Sequence, residues 1–357
     1  MMKKTMTAVL LFLAGMVSAG VYSGGGDGTE GNPYRISAPA DWQVLMTTPQ
    51  DWDKHFQLTG DLDLTGIALT PVGTVTTKFT GVFHGEGWSI SNVQLSRPME
   101  DNVGLFGWLA GARIRDLRIE NGYAEGRFWV GGLVGRAESS VLENCGWTGS
   151  VKGIAYVGGI AGCSIAPQSA LLGCRVMGTV TGNRYVGGIT GYFADAVLYY
   201  SYSQASVIGV LDPLGGTAEA IGGLVGWTAG SATLIAKCYA AGLVQPPSTS
   251  TPNVGGLVGL NSGAVIANSF WDMQVSGQNT SAGGTGKTTA QMKQSATYID
   301  AGWDFINLWE IGEHQTYPYI RNRPSADLNR DGRVALEDLS ILAGQWLTED
   351  IQAPSEP

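Results

Sequence analysis

The sequence predicts an all-β chain: a right-handed parallel β-helix of about seven coils, with caps at both ends and a small helical tail. Three observations carry this. Glycine supplies 53 of 357 residues, about twice the usual ~7%, while charged residues make up only 14%. A glycine-rich segment recurs: WVGGLVG at 129–135, YVGGIAG at 156–162, YVGGITG at 185–191, AIGGLVG at 220–226 and NVGGLVG at 253–259, with a shorter NVGLFG at 102–107. The last glycines, at 107, 135, 162, 191, 226 and 259, are 28, 27, 29, 35 and 33 residues apart. A period of that length is the signature of stacked supersecondary units.

The third observation is the spacing of aliphatic residues. Val130, Val157, Val186, Ile221 and Val254 each precede Leu133, Ile160, Ile189, Leu224 and Leu257 by three positions. A flat strand would send them to opposite faces. Both enter one core only if the backbone bends between them, and the bend falls on the glycine pair. There positive φ is cheap and no Cβ obstructs the next coil. The same spacing recurs at Leu142/Cys145, Leu171/Cys174, Leu198/Ser201, Ile235/Cys238 and Ile266/Ser269, and upstream at Ile90/Val93 and Ile114/Leu117. Asn92, Asp116, Asn144 and Asn268 precede the second member, and Asn and Asp tolerate the left-handed corner conformation. Val93, Leu117, Cys145, Cys174, Ser201, Cys238 and Ser269 should therefore form an inward ladder, with Val151, Val180, Val207 and Val244 in phase. The cysteines read as small buried hydrophobes. Stacked neighbours such as Cys145 and Cys174 would lie roughly 5 Å apart, so a disulfide is also compatible with the pattern. The longer periods contain insertions at 209–220 and 245–253, read as loops.

The N-terminus, MMKKTMTAVLLFLAGMVSAG, has two lysines, an apolar run and small residues at Val17-Ser18-Ala19. It reads as a secretory signal over 1–19, with no span after its removal and a secreted or cell-surface destination. Residues 20–80 read as an N-terminal cap with the first strands, 81–270 as the repeats and 271–323 as a C-terminal cap. A short helix is expected from 288 to 300. A net charge of −9 and no basic cluster exclude a nucleic-acid partner.

The VGGLVG copies resemble the GLUG motif of bacterial surface and secreted proteins and of some IgA-specific metallopeptidases, over residues 24–320. The resemblance implies architecture. Peptidase chemistry does not carry over, because there is no His-Glu-x-x-His and His55, His84 and His314 are scattered. GGTGKTT at 283–289 lacks the first phosphate-loop glycine, since Ser281 stands there.

The segment DLNRDGRVALED, 327–338, places Asp327, Asn329 and Asp331 at positions 1, 3 and 5 of a calcium loop. Gly332 falls at the turn, the Arg333 carbonyl at position 7 and Asp338 at position 12. Leu339, Leu342 and Trp346 then share a helical face. With aspartate at position 12, residues 324–348 resemble one half of a dockerin, and 349–357 read as a disordered tail. The resemblance implies calcium binding through these residues. A complete dockerin has two such halves and docks on cohesin; this chain has one.

Trp129, Tyr156 and Tyr185 precede the first aliphatic residue of successive motifs and should stack as an aromatic stripe. The stripe suits either polysaccharide binding or mutual stabilisation. Acidic residues do not recur at one phase, so no catalytic set is named. The functional expectation is an exported binding or surface-structural protein, associated with carbohydrate or the cell surface. The alternative is a polysaccharide-active lyase or hydrolase, or a subunit of a degrading assembly.

The tail yields a first prediction. A unit this short buries little core and depends on its metal. Calcium chelation should expose 326–347 to limited proteolysis while the thermal transition of the repeats stays put; identical cleavage with and without calcium would contradict this.

Overall fold

The computed structural model describes residues 19–211 and 218–321. Residues 1–18 of the signal segment, part of the first insertion and the whole calcium loop lie outside the described residues. What is described is a parallel β-solenoid of about seven coils, whose strands gather into sheets of thirteen, twelve and five strands.

Each coil thus has three faces. In one coil these are Phe128–Gly131 on the short face, Val134–Glu138 with Val141–Glu143 on the longest, and Gly146–Lys152 on the third. The stacking is in register. Val130 lies opposite Val157, Val157 opposite Val186, Val186 opposite Ile221 and Ile221 opposite Val254. Val130, Leu133 and their counterparts Val157/Ile160, Val186/Ile189 and Ile221/Leu224 are all fully buried. The expected bend between them is present, because the chain passes there from the short face to the longest one.

The glycine pair works differently from the expectation. None of the motif glycines has positive φ; the residue before the first aliphatic does, at Asn102, Trp129, Tyr156, Tyr185, Ala220 and Asn253, with φ of 57, 55, 58, 56, 53 and 59°. The glycines are required by proximity. A Cβ on Gly158 would lie 2.2 Å from the Ala161 oxygen and 2.6 Å from the Ile189 oxygen. On Gly159 it would lie 2.3 Å from Val176 Cγ1 and 2.4 Å from the Gly188 oxygen. On Gly162 it would meet the Trp129 and Val130 backbone at 2.4 Å.

The second corner is left-handed in six coils, at Asp116, Asn144, Gly173, Tyr200, Lys237 and Asn268. The buried ladder behind it runs Leu117, Cys145, Cys174, Ser201, Cys238 and Ser269. Val93 is not one of its rungs. Ile90 pairs with Leu62 and Ile119 on the third face, so the Ile90/Val93 pair is out of phase with Ile114/Leu117, which follows Phe83. The cause is a longer connection between Val82–His84 and Ser89–Ser91, which shifts the spacing by two residues. Val151, Val180, Val207 and Val244 do stand in one register.

At the N-terminal end Tyr34–Ile36, His55–Leu58 and Val82–His84 already pair in parallel and belong to the solenoid. The helix Pro39–Thr47 closes the open end of the core. Its Trp42 is fully buried, edge-on to Phe83 at 5.6 Å and Phe106 at 6.1 Å. At the other end, two short helices, Thr289–Met292 and Ser295–Ile299, replace the single expected one. They and the chain after them fold back over the outer surface of the third face. Met292, Tyr298, Trp303 and Trp309 make a second buried cluster there with Tyr202, Tyr239 and Phe270. The Tyr239 hydroxyl donates to the Pro318 carbonyl at 2.6 Å, and the Trp303 indole to that of Asn268 at 2.9 Å. GGTGKTT supplies the strand Thr285–Lys287, which pairs with Phe270–Asp272.

Crowding at the corners predicts that Gly158→Ala costs about 3 kcal/mol, as overpacking against backbone that cannot yield. Gly60→Ala, where no atom lies within 4 Å of the added methyl, should stay within about 0.5 kcal/mol. Chemical denaturation of both variants checks the contrast.

Candidate functional site: the aromatic corner

Trp129, Tyr156 and Tyr185 do stack. Ring centroids are 5.7 Å apart at 10° and 4.8 Å apart at 24°. The backbone explains their direction. Each sits in the left-handed region, which turns its side chain off the short face and onto the edge beside the glycine corner. That conformation costs a bulky residue roughly 1–2 kcal/mol. In other coils Asn102 and Asn253 fill the same position with a residue for which it is cheap.

A second column, on the longest face, meets the first. It consists of the residue after each motif's last glycine: Trp108, Arg136, Cys163, Tyr192, Trp227 and Leu260, paired coil to coil. Tyr192 packs on Trp227 at 4.6 Å and edge-on to Tyr156 at 6.0 Å; Trp227 also reaches Tyr185 at 5.1 Å. The Arg136 guanidinium lies over Trp108 at 4.4 Å and within 5.8 Å of Trp129. Lys78 covers Trp108 at 4.9 Å. Sequence reasoning missed this column, although the residue following each VGG-x-x-G could have been aligned as readily as the one before it.

The stacking decides what the corner can offer a ligand. Ring faces along the column are largely spent on one another and on the cations, so it is not a flat platform. Rims and hydroxyls remain. Tyr156, Tyr185 and Tyr192 are half-buried, and none of their hydroxyls has a hydrogen-bond partner among the described residues. Burial pushes all three phenols above their ordinary range, so each stays a protonated donor and acceptor. Trp227 donates its indole N–H to Ser262 at 3.1 Å.

The other chemistry-bearing groups are the cysteines and a contact between His84 and two carboxylates. All four cysteines are free and buried. Burial raises the thiols of Cys163 and Cys174 to about 12 and that of Cys145 well above its usual value. The Cys145 thiol donates to the Glu143 carbonyl at 3.3 Å. Stacking brings His84 against a carboxylate of the next coil: it contacts Asp116 at 3.1 Å through Nε2, and Glu86 of its own coil at 2.5 Å through Nδ1. Asp116 in turn accepts from Asn144 at 2.8 Å, and Asn144 from Arg175 at 3.3 Å. Burial works against ionised Asp116, but hydrogen bonds from His84 and Asn144 and nearby positive charge win, holding its carboxyl below the usual range. The two imidazole nitrogens face separate carboxylates, so the trio does not converge on a point; among the described residues no group of three His, Cys, Asp or Glu could hold a metal. A shallow recess of about 200 Å³ lies on the third face, between Arg118, Glu120, Arg175 and Met177, away from the aromatic corner. Among the described residues no helix is long and apolar enough to cross a membrane. Asp327, Asn329, Asp331, Arg333 and Asp338 lie outside the described residues.

Cys163 reports on this corner, because it is buried between Arg136 and Tyr192 in the second column. Native protein should show no fast-reacting thiol, and denatured, unreduced protein should show four. Tyr156→Ala should make Cys163 the first thiol to alkylate; an unchanged native profile would contradict the packing described.

No protein-family model matches the chain. In sequence it is similar to halomucin of Haloquadratum walsbyi, 28% identical over 315 residues, covering 83% of this chain and 3% of halomucin. It is also similar to a "Putative Gly-rich membrane protein" of Evansella cellulosilytica, 39% identical over 103 residues, 28% of this chain and 11% of that protein. The chain therefore spans a small part of either relative's length. In structure it is similar to a "putative immunoglobulin A1 protease" from Bacteroides ovatus, with a TM-score of 0.61 and 21% identity, over 83% of this chain and 94% of that one. That likeness is one of fold.

Proposed function

We propose that the chain is an exported, surface-associated β-solenoid that holds an extended polysaccharide along its aromatic corner. The observation that carries this is the choice of residue at a costly backbone position. Trp129, Tyr156 and Tyr185 occupy left-handed sites that Asn102, Ala220 and Asn253 fill elsewhere in the same column, and these three rings stack on one another from coil to coil. Mutual stacking at about 0.5–1.5 kcal/mol per pair offsets the strain. It leaves the hydroxyls of Tyr156, Tyr185 and Tyr192 unpartnered among the described residues, with Tyr156 one coil from the Tyr185 and Tyr192 pair, a step of roughly 5 Å that is comparable to one sugar in an extended glycan.

Similarity to halomucin and to a Gly-rich membrane protein supports a surface or extracellular setting, as does the signal-like N-terminus. The calcium loop is the second part of the proposal and rests on sequence alone. Asp327, Asn329, Asp331, the Arg333 carbonyl and Asp338 would hold the ion, and the ordered segment would serve attachment to a cohesin-like or other surface partner.

A triple variant, Tyr156→Phe, Tyr185→Phe and Tyr192→Phe, keeps the rings and removes the hydroxyls. On a glycan array with calcium present it should lose at least about tenfold in binding to any glycan the parent retains. Its thermal midpoint should stay within about 2 °C of the parent. Undiminished binding by the triple variant would overturn the assignment.

A further inference from the structure

Two carboxylates are buried in the N-terminal cap, and they are satisfied unequally. Asp41, 2% exposed, collects five donors: the Ser23 amide and hydroxyl at 2.6 and 2.8 Å, the Ser37 amide and hydroxyl at 2.8 and 3.0 Å, and the Ala38 amide at 3.0 Å. Asp51, 1% exposed, receives on Oδ2 the Gly20 amide at 2.8 Å and the Tyr22 hydroxyl at 3.1 Å. Both donors are neutral. Lys54, three residues along, gives its ammonium to Asp53 at 3.0 Å. A buried carboxylate held by neutral donors is costly beside one that faces a cation.

The nitrogen facing Asp51 belongs to the residue that follows the small-residue pattern Val17-Ser18-Ala19. Gly20 is also half-buried. A Cβ there would lie 2.5 Å from Val44 Cγ1 and 3.0 Å from Asp51 Oδ2, so a larger residue would have to push side chains aside, whereas Ala19 is exposed. We propose that the chain is cut between Ala19 and Gly20 and that the new α-ammonium docks on the buried Asp51 carboxylate. The step is hydrolysis by an export-associated endopeptidase. Water adds across the Ala19–Gly20 peptide bond, Ala19 leaves with the new carboxylate, and the Gly20 nitrogen becomes a protonated amine. An amide N–H beside Asp51 is thereby replaced by a charge-assisted pair with further donors for Tyr22 and neighbouring carbonyls. The cap would then close over its own processed end.

The inference rests on the exported reading, and the tests separate the two. The N-terminus of protein recovered outside the producing cell should be Gly20. An intact Met1 form retained in the cell would sink the export reading and this one with it; an exported chain starting elsewhere would sink this one alone. Docking is then read directly on protein starting at Gly20, by the rate at which an amine-reactive probe labels the α-amine near pH 7. The rate should rise about tenfold in Asp51→Asn. If that variant fails to fold, the comparison moves to the same Gly20-start protein unfolded in denaturant, where the α-amine should label about tenfold faster than in the folded protein. Equal labelling in the available comparison would overturn the docking.

Discussion

The fold depends on how closely main chain approaches main chain at the corner between the short face and the longest one. At Gly131, Gly158, Gly187, Gly222 and Gly255 a Cβ would lie 2.0–2.2 Å from a carbonyl oxygen three residues on. No side chain fits, and none can be accommodated by a rotamer change, because the obstruction is backbone. The corner is consequently as tight as a polypeptide permits, and it places Val157 and Ile160, three residues apart, in a shared interior. Ladder hydrogen bonds to the adjoining coil then fix every corner against the next, as in Gly159 N–H to Gly188 O at 3.0 Å and Ile160 N–H to Ile189 O at 2.9 Å.

Conformational strain falls on the neighbouring residue. The left-handed turn stands just before the aliphatic pair, and the chain meets its cost differently from coil to coil. Asn102 and Asn253 tolerate it; Trp129, Tyr156 and Tyr185 offset it with ring contacts; Ala220 takes it with neither device. The aromatic column is thus a product of the solenoid's own geometry, and the Tyr156, Tyr185 and Tyr192 hydroxyls stay without partners among the described residues while the ring faces are already used. Structure and proposed binding share one set of residues, which is why hydroxyl removal, and not ring removal, separates them.

Much of this was legible because a solenoid repeats its physics. Period, core pairs, the Val151 series and the stack at Trp129, Tyr156 and Tyr185 all follow from aligning copies. The role of the glycines was half legible: close approach was inferred, but positive φ was placed on the wrong residue, since a tyrosine in that region goes against propensity. Val93 was misassigned because an irregular early connection breaks the period that the alignment assumed. The Tyr192 and Trp227 column was overlooked since only one flank of the motif was compared. The contact of His84 with Asp116 needed the register of the first coils, which the glycine motif does not mark. The outer surface covered by Trp303 and Trp309 was not legible at all, because aromatic content says that a segment buries itself and not where.

The register between successive coils is the most direct thing to measure. Thr148 and Met177 are exposed partners on adjacent strands, and Thr179 lies two residues further along the same strand. With the four native cysteines buried, oxidation of a Thr148→Cys, Met177→Cys protein should close an intramolecular disulfide rapidly. A Thr148→Cys, Thr179→Cys protein should remain open, being displaced by roughly 7 Å along the strand. Preferential closure of the second pair, or of neither, would contradict coils stacked through their glycine corners.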